Sequence, residues 1–230
     1  MRKPVVDYRK FRLSKLNTPE FSHLYLLLGW VGYFILYMIT ENLIPVEKCN
    51  PIHIVLDDMI PFMEIFVIPY TFWYLLIVFS LGYFLLYNID LFKKLQTYII
   101  ITQAVAMAIY IIYPSRQDLR PAMSELPDNF LANIVRIIYS FDTNTGVFPS
   151  LHVGYSLGIA SVWLREKTAH WLWKTFVVVA IALICMSICF IKQHSAADFF
   201  AALPMCLLAE LIVFRKSYFK KRPKKEKNHA

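Results

Sequence analysis

Apolar and polar positions in this chain alternate on a long scale, with apolar runs of helix-spanning size separated by short polar breaks. Six such runs are visible: Leu24 to Leu43, Ile65 to Tyr87, Tyr98 to Tyr113, Leu151 to Leu164, Leu172 to Ile191 and Ala196 to Phe214. A helix needs about 20 mainly apolar residues to cross the hydrocarbon core of a bilayer. The pattern therefore predicts an all-α polytopic membrane protein, a bundle of six transmembrane helices. The third and fourth runs are short, and the fourth carries small residues (Gly154, Ser156, Gly158, Ala160, Ser161) that suit close helix packing. Between these two runs, Asp128 to Phe141 has helical periodicity. Phe130, Ile134 and Ile138, joined by Leu131 and Val135, share one face, and Asp128 or Asn129 can cap it. A short helix lying in the membrane interface is expected there.

Composition supports the same class. Of 230 residues, 58% are hydrophobic and only 17% charged, which excludes an ordinary soluble domain. The net charge of +8 raises the question of nucleic acid, but its distribution reads as a topology signal and no nucleic-acid partner is expected. Six basic residues precede the first run, eight follow the last, and Lys93, Lys94, Arg165, Lys167 and Lys174 flank the breaks that an even count puts on the same side. That side is predicted to be cytoplasmic. The expected organisation is a basic cytoplasmic segment over 1–23, a six-helix domain over 24–214 and a basic cytoplasmic tail over 215–230, in the cell membrane. Cys49, Cys185, Cys189 and Cys206 form neither a disulfide framework nor a metal-ligand pattern. No metal and no cofactor is predicted, and oligomeric state is left open. In the loop after the first run, Asp57 and Asp58 read as solvated loop residues, and Glu64 as an ionisable group facing the bundle interior.

The candidate chemistry begins at Phe148-Pro149-Ser150-Leu151-His152, where a polar loop gives way to an apolar helix. Ser150 is a good N-cap, and the amides of a helix start form an anion site. His152 lies close enough to exchange a proton with a group bound there. A second histidine, His194, precedes Asp198 by four residues on one helical face. A carboxylate one turn away can hold one imidazole N–H and leave the other nitrogen free as a nucleophile. Taken alone, such a pair more often serves structure than catalysis. The six-span topology, however, collects Arg120, Ser150, His152, Lys192, His194 and Asp198 on the extracytoplasmic side. A phosphoryl group under attack needs cationic donors and helix amides around it. Arg120, Arg116, Lys192 and the helix start at Ser150 are the candidates to bind phosphate, with His194, His152 and Asp198 as the catalytic group.

These residues resemble the type 2 phosphatidic acid phosphatase superfamily. Its second motif matches at Pro149-Ser150-Leu151-His152, its third at Ser187, His194 and Asp198 with the family spacing, and its first at Arg120-Pro121 only. Tyr113 stands where the family has a lysine, and Ile188 where it has an arginine. Arg116 and Lys192 are the candidates to replace those cations. The resemblance implies a metal-independent lipid phosphatase acting at the outer face on a phosphate monoester or diphosphate. His194 would be the nucleophile, Asp198 its orienting carboxylate, His152 the acid and later the base, and Arg120 and Ser150 the phosphate ligands. The alternative is a lipid phosphotransferase, since similar Phe-Pro-Ser-Leu-His sequences occur in relatives resembling inositol phosphoceramide and sphingomyelin synthases. A non-catalytic lipid-phosphate binder or transporter is the third reading, and the intact histidines and Asp198 count against it.

Overall fold

The computed structural model describes residues 3–219. The part of the predicted basic tail from 220 onward lies outside the described residues, as does Arg2. Almost all regular structure is helical: α1 (Leu28–Leu43), α2 (Val55–Met59), α3 (Val67–Tyr87), α4 (Ile89–Ile112), α5 (Phe130–Phe141), α6 (Leu151–Arg165), α7 (Trp171–Phe190) and α8 (Ala196–Phe219). Five stretches among the described residues are long and apolar enough to cross a membrane: Ser22–Leu43, Glu64–Tyr87, Ile89–Ile112, Trp171–Phe190 and Ala196–Arg215. The sixth predicted span, α6, has 15 residues. At 1.5 Å per residue it is about 22 Å long, against a hydrocarbon core of about 30 Å. By length and composition five of the six predicted spans qualify among the described residues.

Yet α6 is the centre of the bundle. It packs against α3, α4, α7 and α8, while α1 rests mainly on α4. Its small residues let neighbouring side chains approach the backbone. A Cβ added at Gly158 would stand 2.6 Å from the Tyr98 ring, and one at Gly154 would stand 3.3 Å from Met205. Tyr98 is itself fixed, because its hydroxyl donates to the Cys206 carbonyl at 3.1 Å in the buried core. Gly158→Ala is therefore expected to force a ring with no room to move, at a cost of about 1–3 kcal/mol. Thermal unfolding in detergent checks this; a melting temperature equal to that of the parent chain would refute it.

The third span begins nine residues earlier than its hydrophobic run. Asn88 caps α4 by accepting the Leu91 N–H at 3.2 Å, and Asp90 in the first turn complements the helix dipole. Lys93 and Lys94, expected between spans, lie in that helix, and Asn88 alone separates α3 from α4. The N-terminal segment is not a detached surface piece either. Phe21 and His23 are buried, the Tyr8 hydroxyl donates to Leu85 O at 2.9 Å, and the Val5 N–H bonds Leu86 O at 2.8 Å, so the segment closes over the end of α3.

At the other end of the bundle three loops are stitched together. Strand β1 (Asn50–Pro51) pairs in parallel with β2 (Ser115–Arg116), and Arg116 bridges to Thr145. Asn129 caps α5, accepting the Ala132 N–H at 2.9 Å. This helix buries Ala132, Val135 and Tyr139 and leaves Phe130 exposed, so its inward face is rotated from the predicted one. Tyr139 accounts for the rotation: its hydroxyl donates to Ile191 O at 2.6 Å and docks α5 on the α7–α8 turn.

Candidate active site

The α7–α8 turn is five residues long and strongly constrained. Lys192 has a left-handed backbone with φ 52°, the conformation that ends many helices and usually falls to glycine. Its ammonium compensates by bonding the carbonyls of Asp57 at 2.9 Å and Ile60 at 2.5 Å. Asp57 in turn reaches under the turn: Oδ1 accepts the Ala196 N–H at 2.7 Å, and Oδ2 accepts the Ser195 hydroxyl at 2.6 Å and the Ile54 N–H at 2.9 Å. The predicted loop carboxylate is thus a buried cap on α8, lying beside the catalytic candidate. Asp58 does behave as a surface residue and pairs with His53. Glu64 accepts the Asn129 side-chain amide at 3.1 Å.

Held in this way, His194 sits with Nδ1 2.9 Å from Asp198 Oδ2, which also accepts the Ser195 N–H at 3.1 Å. A buried carboxylate accepting from Nδ1 fixes the tautomer and leaves Nε2 with its lone pair. That Nε2 faces His152 Nδ1 at 3.3 Å. The two helix starts are joined directly, because the Ser150 N–H donates to the Asp198 carbonyl at 3.2 Å. The His152 ring is wedged between Trp73 and Tyr70, with centroids 4.2 and 4.8 Å away, and its Nε2 is buried without a partner.

The predicted phosphate ligands fare differently. Ser150 precedes α6 but caps nothing; its Oγ is fully buried and unpaired. Arg120 reaches the residue before His194, but its donors are largely taken. Nη1 donates to Asp142 O at 2.9 Å, while Nη2 donates to Thr143 O at 2.8 Å and to the Gln193 side chain. Only its buried Nε is unpaired, and burial pulls its pKa below the usual arginine value. Arg116 and Lys192 do not join the cluster. Arg116 spends its guanidinium on Asp118 and on the carbonyls of Val46 and Cys49, and Lys192 points at the Asp57–Ile60 loop. Neither replaces the missing cations. Ser187 bonds the Ile184 carbonyl within its own helix.

His152 and His194 line one end of a cavity of about 710 Å³. From there it runs between α1 and α3, past Trp30, Phe34, Ile77 and Val78, to Leu27 and Leu81. Its histidine end also contains Gln193 and Asp142, neither of which the sequence pattern singles out. The Asp142 carboxylate accepts the Gln193 amide at 3.2 Å. Burial pushes its pKa up, against the opposing pull of Arg120 and His194. Comparison of the chain with models of known families, with curated proteins and with solved structures finds no match.

Proposed function

We propose that this chain is a membrane enzyme that cleaves a lipid phosphate ester through a phosphohistidine on His194. The observation that carries the reading is the pair of facing nitrogens, His194 Nε2 and His152 Nδ1, at the head of a cavity whose remainder is apolar. A nucleophile with its tautomer set by a buried carboxylate, next to a second imidazole, is the equipment of covalent phosphoryl transfer. An apolar groove leading away from it suits a lipid chain. In the first step His194 Nε2 bonds to phosphorus, the ester P–O bond breaks, and His152 gives its proton to the departing alkoxide. In the second, water attacks the phosphohistidine, His152 takes a proton from that water, and the N–P bond breaks to restore His194. The free amides at the start of α6 and the Arg120 guanidinium, freed from Gln193, would carry the charge on the equatorial oxygens.

In the membrane, α6 serves as the sixth span by running as a short helix enclosed by its neighbours, so that no lipid-facing length is required of it. The Lys and Arg bias supports cytoplasmic termini and an outward-facing site, with α5 lying across the mouth in the interface. Six spans with an outward-facing site are what the resemblance of the Pro149 to His152 and His194 to Asp198 motifs to the type 2 phosphatidic acid phosphatases implies.

The intermediate supplies the test. Full-length protein in detergent, mixed with phosphate-labelled lipid and quenched in alkali, is expected to retain label on the chain, and acid is expected to release it. The label should survive a chelator and should vanish in His194→Gln. Label retained by His194→Gln at the parent level would rule the mechanism out.

A further inference from the structure

A neutral amide separates the guanidinium of Arg120 from the carboxylate of Asp142. No lysine or arginine lines the cavity among the described residues, and Arg116 and Lys192 are held by other partners. Arg120 reaches the residue before His194, but it also has a carboxylate neighbour that could claim it. Its Nη1 donates to the backbone carbonyl of Asp142 at 2.9 Å, so the Asp142 side chain hangs from a residue the guanidinium already touches. Burial pushes the Asp142 carboxyl up in pKa, and the Arg120 charge pulls it back down. Yet the two side chains meet through Gln193 rather than directly. Arg120 Nη2 donates to the Gln193 side-chain oxygen, and the Gln193 amide nitrogen donates to Asp142 Oδ2 at 3.2 Å and to the Tyr70 hydroxyl at 3.4 Å. A guanidinium has only donors and a carboxylate only acceptors, so this orientation of the amide is the one that satisfies both neighbours.

A guanidinium and a carboxylate in direct contact in buried surroundings form a two-bond fork, which a ligand must break before it can use the cation. An amide oxygen holds the same guanidinium through a neutral acceptor, and an entering phosphate displaces it by offering charge in its place. We propose that Gln193 is a positioning residue: standing between Arg120 and Asp142, it keeps the guanidinium from pairing with the carboxylate and so available to the phosphate that His194 attacks. When phosphate takes Arg120 Nη2, the Gln193 nitrogen keeps its bond to Asp142 and still blocks the carboxylate. The Tyr139 ring, its centroid 4.7 Å from the guanidinium carbon, and the Asp142 carbonyl on Nη1 hold Arg120 in place through the exchange.

This assignment rests on the phosphoryl-transfer reading of the site, and a double-mutant cycle on binding tests it apart from the chemistry. Decyl phosphate is titrated against the full-length protein in mild detergent, in chains that all carry His194→Gln. Tryptophan fluorescence is the signal, since Trp73 lies against His152. Gln193→Leu is expected to weaken binding about ten-fold where Asp142 is intact, because the carboxylate then captures Arg120. In the Asp142→Asn background, with no charge left to capture it, the same substitution should weaken binding by less than about three-fold. A side chain that merely filled space would cost the same in both backgrounds. Equal cost in the two, no cost with Asp142 intact, or no saturable binding to the chain with both residues intact would each overturn the proposal. Should either substitution prevent folding, Gln193→Met and Asp142→Ala take their places under the same criteria. Alkali-stable label on the parent chain reports on His194 separately: its absence beside the predicted cycle would sink the phosphohistidine and leave the role of Gln193 standing.

Discussion

Asp198→Asn is expected to lower turnover by about three to four orders of magnitude in a chain that still folds. The carboxylate accepts both the His194 Nδ1–H and the Ser195 N–H on one oxygen. An asparagine with its carbonyl in that position keeps both bonds but removes the negative charge that stabilises the cationic phosphohistidine. With its N–H₂ there instead, donor meets donor at Ser195 and His194, Nδ1 must become the acceptor, the imidazole proton moves to Nε2, and the lone pair needed for attack is lost. The shape is nearly unchanged, so melting temperature should shift little while kcat collapses. Nitrogen-15 NMR of labelled histidine separates the two tautomers and so the two causes. A variant retaining more than a tenth of parental turnover would show that neither the charge nor the orientation supplied by Asp198 is needed for turnover.

The second large effect belongs to Asp57, which does not line the cavity. Its carboxylate takes three hydrogen bonds, from Ile54, Ser195 and Ala196, and its backbone carbonyl takes the Lys192 ammonium. Asp57→Ala leaves those three donors buried without acceptors, each at about 1–3 kcal/mol. Even with partial relaxation the loss should be several kcal/mol, read as a marked fall in melting temperature. Asp57→Asn separates stability from positioning. Its one carbonyl can satisfy Ser195 or Ala196 but its N–H₂ cannot accept, so the turn should hold less firmly, with kcat falling further than KM rises. Parental kcat and parental stability in both variants would mean that the cap is incidental.

The chemistry-bearing residues were more legible than the surroundings that position them. The spacing of His194 and Asp198 is helical, so their contact followed from local geometry, and the helical character of the membrane runs followed from length and apolarity. Hydrophobicity could not show that α6 is enclosed by four other helices, because that packing is a tertiary fact. Nor could it place the start of α4, where a cap at Asn88 overrides the polar residues that follow. Arg116 and Lys192 were misread for a single reason: sequence records that a cation is near a site, not which carbonyls it is already satisfying. Asp57 sits in a loop whose polarity seemed explanation enough, and only the folding of that loop onto the α7–α8 turn makes its carboxylate a cap on α8.

The slack packing of α1 has a kinetic consequence. This helix leans mainly on α4, and the groove behind it is bounded on the far side by α3. An amphiphile can slip between the two from the plane of the bilayer without passing through water. Its encounter rate is then set by how crowded the surrounding leaflet is with that amphiphile, so velocity should follow surface mole fraction and ignore the bulk concentration of the same lipid diluted in inert detergent at constant ratio.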